Sequence, residues 1–71
     1  MYTQQILETI DSPVTVGGRA IGYTSRFVVA NGIPYYRATF TEAGYPEPAG
    51  IHEDDDAAAG AIRARHDAFA H

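Results

Sequence analysis

The densest group of side chains able to bind a ligand or carry a proton is the run His52-Glu53-Asp54-Asp55-Asp56. Imidazole and carboxylate are ligands for a divalent ion, but a metal needs donors that converge, and consecutive residues at a helix start splay around the axis. The acids have a simpler use. An Asp at 54 or 55 can accept from the free backbone N–H groups that open a helix, and its neighbours suit the positive end of the helix dipole. His66 and His71 fall near the far end of that helix, where a protonated ring is favoured. Catalytic motifs are missing from the sequence: there is no Cys, no Gly-rich phosphate loop ahead of a helix, no His-Glu-x-x-His and no EF-hand spacing. Ser12 and Ser25 sit in no nucleophile elbow. The expectation is a non-enzyme with no metal and no cofactor.

A second group is made by a hairpin over residues 23–40, with Asn31-Gly32 at its tip. Asn-Gly is the strongest two-residue hairpin signal, because a type I′ turn needs φ > 0 at both central positions. That register sets Val29 against Pro34, Phe27 against Tyr36, Ser25 against Ala38 and Tyr23 against Phe40 on a core face. The other face carries Thr24, Arg26, Val28 and Ala30 against Thr39, Arg37, Tyr35 and Ile33, with Arg26 directly opposite Arg37. Planar cations, an aromatic and aliphatics in that mixture match interface cores better than solvated faces. The partner-binding residues expected here are Arg26, Val28, Ile33, Tyr35 and Arg37, joined by Glu53, Asp54, Asp55 and Asp56.

The elements that must position these groups belong to one domain of 71 residues, a size at which a hydrophobic core alone gives marginal stability. Nine acids against five bases, all of them Arg, give a net charge of −4. Direct binding to nucleic acid by bulk charge is therefore disfavoured. The absence of Cys, of a signal-like N-terminus and of any long apolar run points to the cytoplasm and away from membranes. Three Arg and no acid lie in 14–41, so a basic sheet is framed by acidic flanks.

Residues 3–10 read as a short helix, with Thr3 capping its start, Ile6, Leu7 and Ile10 on one face, and Asp11-Ser12-Pro13 stopping it. A turn at Gly17-Gly18 pairs Val16 with Arg19 and Val14 with Ile21, adding a short first strand, and Gly22 marks a bulge or bend. Residues 14–41 then form a three-stranded antiparallel meander. The stretch 42–52 reads as loop, broken by Pro46, Pro48, Gly44 and Gly50, with Tyr45 folding back over the core. A helix spans 54–70, presenting Ala57, Ala58, Ala61, Ile62, Ala64, Ala68 and Phe69 to Tyr23, Phe27, Tyr36 and Phe40. Arg65 falls inside that apolar arc, so its stem should pack and its guanidinium find an acid such as Glu8 or Asp11. The fold class expected is α+β: a three-stranded meander on one C-terminal helix, with a short N-terminal helix.

Three antiparallel strands followed by a helix, with Arg and Tyr on the free face, resemble the arm-binding domains of tyrosine recombinases and the plant AP2-type domains, which lay such a sheet in the DNA major groove. The resemblance is one of topology over 14–69. It implies DNA contacts from Arg26, Tyr35 and Arg37 and a phosphate contact from Arg19, while the lack of Lys and the net charge of −4 depart from it. In size, acidity and lack of an active site the chain also resembles small phage-encoded inhibitors of the anti-CRISPR kind. That resemblance implies a protein partner, a nucleic-acid-handling complex whose cationic groove takes the acids of 53–56. The function expected is a non-catalytic protein-interaction module of this inhibitor type. A sheet-type DNA-binding domain and a homodimeric structural protein are the alternatives.

Overall fold

The computed structural model describes residues 6–30 and 32–70. The chain is α+β, with an antiparallel four-stranded sheet in the order β1-β2-β3-β4 and one C-terminal helix. The strands are β1 (Ile6–Val16), β2 (Arg19–Val29), β3 (Tyr35–Phe40) and β4 (Glu47–His52), and the helix is α1 (Asp55–Phe69).

A strand stands where the sequence suggested an N-terminal helix over 3–10, of which residues 3–5 lie outside the described residues. Six residues of β1, Ile6, Thr9, Ile10, Val14, Thr15 and Val16, are β-branched and fit a pleated surface better than a helix. Pro13 does not end the strand, because β1 is an edge strand, where a missing N–H is tolerated. β1 and β2 turn at Gly17 and Gly18, whose φ values of 59° and 80° suit glycine, and Val16 faces Arg19 as expected. The pairing then slips. Val14 faces Gly22 and Thr15 faces Ala20, so Ile21 is the extra residue of a bulge, and it is fully buried.

The hairpin register also differs from the one expected. The β2–β3 ladder runs from Gly22↔Phe40 through Ser25↔Arg37 and Arg26↔Tyr36 to Phe27↔Tyr35, one residue out from a two-residue loop. Asn31 lies outside the described residues. A two-residue loop would have drawn Pro34 into β3, an inner strand of the sheet, where its fixed φ of about −65° is disfavoured. The ladder instead starts after Pro34, and Val29 pairs with Ile6 of β1.

A one-residue slip turns β2 over. Gly22, Thr24 and Arg26 share the helix side with Tyr36, Ala38 and Phe40, while Tyr23, Ser25 and Phe27 share the opposite side with Tyr35, Arg37 and Thr39. Arg26 and Arg37 therefore lie on opposite faces. Gly22 explains the inversion: a Cβ there would sit 2.2 Å from the Thr39 carbonyl oxygen and 2.9 Å from Ile62 Cγ2, so the helix crosses where β2 has no side chain.

β4 stands within the stretch 42–52, expected to be loop throughout. As an edge strand it accommodates Pro48, and Gly50, with φ 96°, lies beside the slip between Arg37↔Ile51 and Thr39↔Pro48. Tyr45 precedes it and is exposed rather than folded over the core.

The helix begins as expected, with Asp54 as N-cap accepting from Ala57 N at 2.7 Å. Its buried residues are Ala58, Ala59 and Ile62, whereas Ala57, Ala64 and Ala68 face solvent, so the packed arc is centred nearer Ala59. Val14, Ile21, Ala38, Phe40, Ala58, Ala59 and Ile62 form the core, with Tyr36 packed against it. Phe69 meets the edge of the Phe40 ring at 5.5 Å. Tyr23 and Phe27, expected beneath the helix, are on the far side of the sheet.

Candidate functional site

The helix covers one side of the sheet, and the other side carries a stacked group. Phe27 and Tyr35 lie opposite each other on β2 and β3 with ring centroids 4.8 Å apart and planes within 16°, and the Arg37 guanidinium sits 4.8 Å from the Phe27 centroid. A guanidinium over a ring face gains from the ring quadrupole while keeping its N–H groups free to bond outward. The stack buries Phe27, leaves Tyr35 half-buried and leaves Arg37 exposed. Ile51 is the β4 neighbour of Arg37 and is 66 % exposed. On β1 the same side continues through Thr9 and Asp11, paired with Phe27 and Ser25.

At one end of the sheet this surface runs into a cleft of about 870 Å³ lined by Ile33, Pro34, Tyr35, Ile51, His52, Glu53, Asp54 and Ala57. The β2–β3 connection, the end of β4 and the first turn of α1 build it. His52 is fixed by a 3.0 Å contact between Nε2 and the Ala49 carbonyl oxygen. Ile33, 86 % exposed, stands at the rim.

The structure brings together Ile33, Tyr35, Glu53 and Asp54 at the cleft and places Arg37 on the adjoining face. It does not bring Arg26 or Val28 there, because the slipped register turns both to the helix side. The acidic run also divides. Asp54 caps the helix, Asp55 accepts from the Thr24 hydroxyl at 2.7 Å, and Glu53 and Asp56 remain exposed. Phe27, Pro34, Ile51 and Ala57 were missed. Phe27 is buried as expected but on the side away from α1, and Ile51 is legible in Ala49 and Ile51 alternating with Gly50 and His52. Among the described residues, no three His, Asp or Glu side chains are placed to hold a metal ion.

At the opposite end lies a second polar group. Glu42, with a side chain only 7 % exposed, accepts from both Arg19 and His66 Nδ1, tying the β1–β2 turn and the last turns of α1 to the β3–β4 connection. The His66 hydrogen bond, reinforced by the charges of His66 and Arg19, holds the Glu42 carboxyl below its usual range against the opposing effect of burial. Arg19, implied as a phosphate contact, is thus engaged within the chain. Arg65 lies in the apolar arc as expected, but its partner is Glu47: Nε donates to Oε1 at 2.5 Å and Nη2 to Oε2 at 3.3 Å. Its guanidinium also lies 5.1 Å from the Phe40 centroid. The Arg65 bond lowers the Glu47 pKa, and the same bond raises that of Arg65.

No protein-family model, curated protein or solved structure matches the chain.

Proposed function

We propose that the chain is a non-catalytic protein-interaction module that docks through the sheet side away from α1 and the adjoining cleft. The observation that carries this is the Arg37–Phe27–Tyr35 stack with Ile51 beside it: a planar cation, two aromatic rings and an exposed aliphatic on the side of the sheet away from α1. Such residues supply rigid anchors at protein interfaces, and a solvated sheet face would instead alternate to small polar or charged groups. The acidic balance favours a partner with a cationic surface. In the inhibitor role that its size and charge suggest, the chain would hold a nucleic-acid-handling complex through this face while Glu53 and Asp56 meet basic groups of the partner.

The test is retention of a partner from lysate of the source cells on the immobilised chain. Arg37→Glu and Ile51→Glu change exposed side chains outside the core, so each variant should keep the wild-type circular dichroism spectrum and lose most of the retained partner. Undiminished retention by both folded variants refutes the assigned face. Retardation of random duplex DNA at low salt, abolished by the same variants, would replace it with a DNA-binding role.

A further inference from the structure

We infer that the cleft between the β2–β3 connection, the end of β4 and the start of α1 takes an arginine side chain presented by the protein partner. This rests on the interaction role proposed above and names the chemistry of one of its contacts. The walls are apolar: Ile33, Pro34, Tyr35, Ile51 and Ala57. The remaining lining is His52, held on the Ala49 carbonyl, Asp54, whose carboxylate caps α1, and the exposed Glu53, with no Arg or Lys among them. An occupant must therefore bring hydrocarbon to the walls and positive charge to the acids. A purely apolar segment would cover the Glu53 carboxylate without pairing it, which is costly, and a phosphate would meet it at like charge.

Tyr35 separates arginine from lysine. Its ring is already one layer of a stack with Phe27, and it also lines the cleft. A guanidinium can lie flat on such a ring and still direct N–H groups in its plane to a carboxylate, whereas an ammonium has no plane to stack. The chain uses the same arrangement internally, with Arg37 over Phe27 and with Arg65 over Phe40 while bonded to Glu47.

The experiment titrates the full chain with N-acetyl-arginine methylamide, its lysine counterpart and its citrulline counterpart, which keeps the shape of arginine without the charge. Methyl resonances of Ile33, Ile51 and Ala57 should shift saturably with the arginine compound and about tenfold more weakly with citrulline, lysine falling between. Glu53→Gln, an exposed position outside the cap, should bring the arginine affinity close to that of citrulline. Equal affinity for arginine and citrulline, lysine binding at least as tightly as arginine, or no saturable shift at these three residues would each overturn the inference. No partner takes part in this titration. A silent cleft beside partner retention that Arg37→Glu and Ile51→Glu abolish refutes the arginine contact alone, and a responsive cleft beside retention that both variants leave undiminished refutes only the wider role.

Discussion

Glu42 joins three parts of the chain through one carboxylate, and its ionisation is tied to the fold. Because its pKa is lower folded than unfolded, its contribution is complete above the unfolded value of about 4.3 and is lost as the pH falls through the lower folded value. Thermal melting should therefore weaken as the pH drops below about 4.5. Glu42→Gln should melt lower than wild type at neutral pH and show a shallower fall on acidification, with Glu47 supplying the remaining slope. Melts of the two proteins across this range check both the offset and the slope.

Two glycines test packing at the same scale. At Gly22 a methyl group would collide with the Thr39 carbonyl oxygen, a backbone atom that cannot rotate aside, so Gly22→Ala should cost about 1–3 kcal/mol or more. Gly60 is an exposed helical position with nothing within 4 Å of an added Cβ, and Gly60→Ala should stabilise by about 0.5–1 kcal/mol. Urea unfolding of the pair measures both signs.

At the scale of elements, α1 depends on its cap. Asp54→Ala should cost about 0.5–2 kcal/mol in urea unfolding, and Asp54→Asn, which keeps an acceptor, should recover most of it. This cap was legible in the sequence because it is set by local chemistry, as were the Gly17-Gly18 turn and the irregularity beside Gly22. What local chemistry could not reveal was pairing. Ile6, Glu8 and Ile10 satisfy a strand period as well as Ile6, Leu7 and Ile10 satisfy a helical one, and only hydrogen bonding to β2 decides between them. Pro46, Pro48 and Gly50 forbid an inner strand, but an edge position relaxes that ban. The site suffered most, because the side on which Arg26 falls depends on a register that one misplaced pair inverts. β3 kept its assigned faces and β2 did not, which is why Tyr35 and Arg37 remain on the proposed surface and Arg26 does not.

The described residues span 44 × 22 × 20 Å, and a helix of 15 residues reaches only about 22 Å. The helix starts beside Thr24 and ends near Arg19 and Glu42, so the far half of the β1–β2 hairpin, with Ile6, Leu7 and Ile10 exposed, extends past it. The long sheet is therefore not one mechanical unit. Beyond Thr24 no described element lies over the helix side, and the Phe27–Tyr35 stack braces the opposite side. Amide hydrogens of β1 up to Asp11 should trade for deuterium well before those around Ile21, Ala38 and Phe40, through openings that leave the helix in place. Removing the brace with Phe27→Ala should speed that trade in the overhang and barely alter it around Ile62. The chain thus has a firm half, clamped by a helix and a shared carboxylate, and a loose half whose permanence depends on two rings.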